Sequence, residues 1–196
     1  MARTAAAPST RRRKILAILA GGLVLGVGTA LTLAAWNDSE FATGTFTAGS
    51  FNLEGSTDGT AYSDHAAIGD PAALDFSVGF DELSPGDVVT APFAVRLDAG
   101  TDYDAIVTMT TADVTGDPAN LTYRVLQTAT FGCGDLTGAT TLVSSRGLSE
   151  ALAGVTFPLV AAPADQEYLC FEVTAGAGLT QDQSATATWQ FAAESQ

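Results

Sequence analysis

The 196-residue chain carries 22 acidic side chains against 8 basic ones, a net charge of −14 and an isoelectric point near 4.1. From Asp38 onward only Arg96, Arg124 and Arg146 oppose the acids, so that stretch repels nucleic acid and anionic lipid headgroups. A single histidine, His65, excludes the paired-imidazole zinc motif H-E-x-x-H. A catalytic serine triad also lacks support, since there is no G-x-S-x-G.

Taken in chain order, Arg11, Arg12, Arg13 and Lys14 form a basic cluster, and no charged residue follows until Asp38. A basic n-region ahead of an apolar run reads as an export signal forming a hydrophobic helix. Small residues at Thr32 and Ala34 place the cut between Ala34 and Ala35, giving a signal over 1–34, an N-terminal arm over 35–44 and a folded domain over 45–196. The rival expectation is an uncleaved anchor, because the apolar run is long enough to span ~30 Å of hydrocarbon. Membrane contact is expected only through an uncleaved signal. Lys14 is the sole lysine, so the exported part has no amine for an isopeptide crosslink, and no cysteine sits at the junction for lipid attachment.

Past the junction, Gly44 to Leu53 is rich in β-formers, and the apolar parity changes at Gly49, which predicts a bulged first strand. Glu54 to Pro71 reads as a loop carrying His65, with a short hairpin about Asp58-Gly59. Leu74, Phe76, Val78 and Phe80 alternate with Asp75, Ser77 and Gly79, the code of a strand with one face in the core. Ser84-Pro85-Gly86-Asp87 is a turn in which proline presets φ and glycine takes positive φ. Val89 to Leu97 is the next strand, with Pro92 moving it towards a sheet edge. Asp98 to Asp104 turns the chain, and Ala105 to Thr111 is expected to pair back as a hairpin.

After a turn at Val114 to Ala119, Leu121, Tyr123 and Val125 define a strand; Gly132 to Gly138 interrupts; Thr140 to Val143 reads as a short strand and Ser149 to Ala153 as one helical turn. Val155 to Val160 and Tyr168 to Thr174 follow. Ala185, Ala187, Trp189 and Phe191 then make a closing strand regular enough to expect it inside a sheet. Eight or nine short strands at roughly ten-residue spacing, with no helix to cover a parallel sheet, predict an all-β antiparallel β-sandwich with jelly-roll or Greek-key connections.

Two cysteines, Cys133 and Cys170, lie beyond the signal, and an even count in an exported chain reads as one disulfide. Neither has the ligand spacing of a metal site. Asp-rich turns such as Asp98 to Asp104 lack the D-x-D-x-D-G calcium loop. No cofactor, metal or catalytic set is therefore expected.

The junction Thr32 to Asp38, the run Ala42 to Leu53 (A-x-G-T-F-x-A-G-x-F-x-L) and the turn Leu83 to Asp87 (L-x-P-G-D) together resemble proteins processed by the SipW-type signal peptidase, the TasA/camelysin family of exported matrix-fibre proteins. The resemblance covers roughly the first half of the chain. It implies a jelly-roll-like fold, processing by a SipW-type peptidase, secretion to the cell surface or extracellular matrix of a biofilm-forming bacterium, and self-association into fibres. The freed arm, with apolar Trp36 and Phe41, would add as a strand to the next subunit head to tail. Two other functions stand beside it: an exported metallopeptidase, implied by the camelysin label, and a monomeric surface binding module.

Overall fold

The computed structural model describes residues 10–31, 39–161 and 165–196. These divide into two units, Met1–Phe46 and Thr47–Gln196. The first contains α1 (Thr10–Leu31), followed from residue 39 by chain without regular structure. The basic cluster occupies the opening turns of α1, where the helix dipole disfavours cations. Ile15, Leu16, Ile18, Leu19 and Leu23 are all exposed. The junction residues Ala34 and Ala35, and Trp36 of the arm, lie outside the described residues.

The second unit is an all-β sandwich. Its eight strands are β1 (Leu53–Ser56), β2 (Val88–Leu97), β3 (Ala105–Gly116), β4 (Leu121–Thr128), β5 (Thr140–Gly147), β6 (Val155–Leu159), β7 (Gln166–Ala175) and β8 (Ala185–Ser195). One antiparallel sheet has the order β1-β2-β7-β4-β5 and the other β6-β3-β8. After β2 the chain crosses between the sheets four times before β7 and once more to β8, so its ladders join strands distant in sequence.

Period-two alternation explains the core. Val89, Ala91, Phe93, Val95 and Leu97 of β2, Leu169, Phe171 and Val173 of β7, and Leu121, Tyr123 and Val125 of β4 all point between the sheets and are buried. Val107, Met109, Phe157 and Leu159 meet them from the smaller sheet. Trp189 of β8 packs 4.7 Å from the Phe171 ring and 5.3 Å from the Tyr123 ring, and Phe191 packs 5.4 Å from Phe93. These aromatic pairs tie the sheets together.

The Ser84–Asp87 turn forms as read: Asp87 N–H donates to the Ser84 carbonyl at 3.0 Å, and Gly86 has φ of 99°. The hairpin about Asp58-Gly59 forms too, with reciprocal Gly55 and Ser63 backbone bonds of 3.0 Å. Several expectations need correction. Gly44 to Leu53 is not a strand: β1 starts at Leu53, and Gly49 is no bulge. Instead Ser50 and Asn52 are pinned by the Asp98–Asp102 turn. Ser50 N–H donates to Asp102 Oδ2 at 2.8 Å and Asn52 N–H to Thr101 Oγ1 at 3.0 Å, and a Cβ on Gly49 would lie 2.7 Å from the Tyr103 ring. Ala105 to Thr111 does not pair with β2, because the chain crosses to the other sheet there.

Leu74 to Phe80 is no strand either. Leu74 and Phe76 do pack on the core, but alternation reports which side chains face inward and is silent on whether the backbone is paired. Ser149 to Ala153 is a turn and not a helical segment. Finally, β8 lies at a sheet edge and not inside, for a regular inward-facing row looks the same in both positions.

Pro92 does sit on an unpaired stretch, although β2 is second in its sheet. Thr90 bonds Ser77 on the side away from β7, and residues 92, 94 and 96 share that parity. The missing N–H therefore faces a stretch that β1, paired only from Ala94 to Leu97, leaves uncovered.

Two measurements check this description. Phe171→Ala empties the centre of the core, where the ring is 1% exposed, and is expected to cost about 3–5 kcal/mol by urea unfolding. Asp58 accepts from the Thr60 and Ala61 amides at 2.7 Å each, and these bonds hold its carboxyl down to about 2 from 3.8. A depressed carboxylate stabilises above its unfolded pKa and loses that contribution as pH falls through its folded one. Unfolding scans between pH 5 and pH 2 are expected to show a stability difference between wild type and Asp58→Ala that is present at the upper end and shrinks towards the lower; a pH-independent difference would contradict the assignment.

Candidate functional site

The larger sheet has more inner face than the smaller can cover. The surplus opens as an apolar groove of about 960 Å³ between β8 and the β1–β2 side of the sandwich. Ala185, Ala187, Trp189, Phe191 and Ala193 form one wall from the inward row of β8. Val89, Phe93 and Val95 of β2 form the other, with Phe171, Val173 and Leu121 beneath and Phe51, Phe76, Phe80 and Leu83 at the rim. Its size is that of a ligand or side-chain binding cleft.

The groove offers little for bond-making chemistry. Among its ionisable lining residues, Glu54 is tied to Arg96 at 2.9 Å, while Asp64 and His65 are exposed. His65 Nε2 lies 3.1 Å from Ser63 Oγ, with no carboxylate bonded to the ring to orient it. Among the described residues, no group of three His, Cys, Asp or Glu side chains converges as a metal site. What the groove does supply is an apolar trough directly beside exposed main chain.

That main chain is the free side of β8. Each of the other sheet edges carries a feature that discourages pairing. β1 is only four residues long, β6 contains Pro158, and the β4–β5 ladder is broken twice, between Tyr123 and Val125 and again before Leu126. β8 has 11 residues, no proline, no lysine or arginine, and Glu194 as its only charge. Its pairing with β3 shifts register between Thr111 and Asp113, where Ala112 is the extra residue, so the irregularity belongs to β3. Among the described residues, no backbone hydrogen bond from a loop reaches Ala185–Ser195 on that free side.

The two cysteines lie elsewhere. Cys133 and Cys170 are bonded, with Cα atoms 5.4 Å apart, as their count predicted. Cys170 stands on the outer face of β7, opposite Leu126 of β4 and Pro92 of β2, and is fully buried. The bond holds the β4–β5 loop over that face, where Phe131 packs against Gly59 and the Tyr168 ring, and Ala94, Leu126 and Thr128 become buried beneath.

Polar groups with shifted titration lie on both faces of this sheet, Tyr62 and Arg124 on the side of the cover and Glu167 on the inward parity. Burial raises Tyr62, with the nearby Tyr168 adding to it. Arg96 rests over the Tyr62 ring at 3.9 Å. Burial also raises Glu167, partly offset by the hydrogen bond from Gln127 at 3.1 Å. The Glu172 hydrogen bond raises Arg124, and the pair forms a two-pronged bridge at 2.7 and 2.9 Å.

Of the arm residues, Phe41 is 93% exposed. Phe46, just beyond the arm, is 96% exposed. The groove-lining row Ala185, Ala187, Trp189 and Phe191 was read from sequence as a strand inside a sheet; the absence of any guarding residue from Ala185 to Ala193 was the available signal that this strand is an edge. No known protein family and no curated protein matches the chain. The disulfide nevertheless fits an oxidising compartment.

The double variant Cys133→Ser/Cys170→Ser opens a loop of sequence separation 37, which chain entropy values at roughly 4 kcal/mol. It is expected to fold with a correspondingly lower denaturation midpoint. Thiol labelling of denatured, unreduced wild type is expected to find no free thiol, and two labelled sites per chain would refute the pairing.

Proposed function

We propose that this protein is an exported structural subunit that assembles with copies of itself into fibres at the cell surface or in the extracellular matrix. The observation that carries this reading is the coincidence of the unguarded edge of β8 with the open apolar groove beside it. A strand added to β8 gains main-chain hydrogen bonds along the edge, and its alternate side chains enter the trough. One without the other would leave either an unfilled groove or an unanchored peptide.

The arm supplies suitable chemistry for the donor. It contributes Trp36 and Phe41 among polar residues, and from residue 39 the chain through Gly49 has no regular structure. An arm leaving one copy and an edge on the next are different surfaces, so the contact is heterologous and propagates when it does not close. Cleavage between Ala34 and Ala35, by a peptidase of the SipW type, would release the arm from the signal. The resemblance at Thr32 to Asp38 and Ala42 to Leu53 supports both the processing and the fibre role.

Deleting Ala35 to Thr43 is expected to abolish assembly, seen by sedimentation and negative-stain microscopy, while leaving the disulfide and the unfolding midpoint unchanged. Thr188→Lys/Gln190→Lys places charge on the outward row of β8 and is expected to block assembly in the same way. Filaments formed normally by both variants would exclude arm addition at this edge.

A further inference from the structure

The strand code in Leu74, Phe76, Val78 and Phe80 is only half used. Leu74 and Phe76 pack against the core, whereas Val78 is fully exposed and Phe80 is 53% exposed. A single residue pair, Ser77 and Thr90, ties the backbone of this segment to the sheet. Ser77 N–H donates to the Thr90 carbonyl at 2.8 Å, as in a ladder, but the Thr90 N–H returns to Ser77 Oγ at 3.1 Å and not to its carbonyl. It is a single rung, half formed.

That rung fixes a register. With Ser77 opposite Thr90 in an antiparallel pair, Asp75 falls opposite Pro92 and Gly79 opposite Val88. These are the backbone groups of β2 that β1 leaves uncovered, since β1 pairs only from Ala94 onward. Pro92 has no N–H to waste, and its carbonyl is free to accept from Asp75. In this register Ser77 shares the outer face with Thr90, so Phe76 and Val78 turn inward beside Ala91 and Val89. Val89 and Phe76 already line the groove.

What stops the zipper is Gly79. Its φ is 96°, a left-handed conformation that turns the chain away before the next rung, and a Cβ there would meet nothing within 4 Å. The conformation is held by glycine's freedom and by one turn bond, Glu82 N–H donating to the Gly79 carbonyl at 3.1 Å, which closing would break.

We propose that residues 74–80 are a lid, which zips onto the free half of β2 as a ninth strand when the groove is filled and closes over the occupant with Val78 and Phe80. This rests on the reading above that a strand from a second copy fills the groove. While the trough is empty, closing would roof a space of about 960 Å³, and Val78 would meet few atoms across it. Once side chains fill it, inward rotation removes both from water and completes the edge of β2.

Amide exchange of assembled and unassembled protein tests the closure directly. The amides of Asp75, Gly79 and Val88 are expected to slow by roughly tenfold or more on assembly, as new rungs form. Val78→Cys/Val89→Cys, which leaves Gly79 intact, provides a second test at a non-hydrogen-bonded pair separated by about 4.5 Å in a closed ladder. It is expected to crosslink rapidly in assembled protein and slowly in monomer, while Gly79→Val, which disfavours the left-handed conformation, lowers the concentration needed for assembly. Filaments that form with unchanged exchange at these three amides and no crosslink overturn the lid and leave the assembly reading intact. Failure of wild type to assemble at any concentration overturns both.

Discussion

Five strands cannot be covered by three. Neighbouring strands lie about 4.8 Å apart, so the larger sheet is wider than its partner by roughly 10 Å of inner face. That mismatch decides much of the molecule. It leaves Val89, Phe93 and Val95 facing an open trough on one flank, and it puts β8, with its large aromatic side chains, at an edge where both its inner row and its main chain can be reached. Phe171 and Trp189 keep the two sheets in contact at the back of this opening, and the lip beyond it is loop.

The outer face of the larger sheet would be a second unfilled surface without the disulfide. Cys170 is a small apolar group in the middle of β7, and its bond to Cys133 draws a glycine-rich loop across Ala94 and Leu126. Gly59, at φ of 74°, lets the β1 hairpin approach so closely that the Phe131 ring occupies the place of a side chain. One covalent bond thus closes the outside of the sheet. The inside flank has no such cover.

Charge works against self-association. From Asp38 onward each copy sets three arginines against 22 acids, so copies repel at long range, and salt shortens that repulsion to about 10 Å at 0.1 M. The edge of β8 and its trough are nearly free of charge between Ala185 and Ala193, so an incoming strand meets little repulsion at the site itself. Acidity elsewhere keeps other faces apart. A surface of this kind would favour the proposed contact by penalising the rest.

Alternation of apolar residues made most strands legible: β2, β4, β6, β7 and β8 can be read from their side chains, as can the Ser84–Asp87 turn and the cysteine pairing. What the residues determined by themselves was which side chains face inward, because a two-residue period is a local property of the strand. Which strands neighbour one another is a property of backbone hydrogen bonds between distant segments, and no local pattern records it. Hence Leu74 to Phe80 carries a strand's code without a strand's pairing, Ala105 to Thr111 left β2 for the other sheet, and β8 looked interior while standing at an edge. The groove arises from the count of strands in each sheet, so only the tertiary structure decided where it opens and which row of β8 lines it.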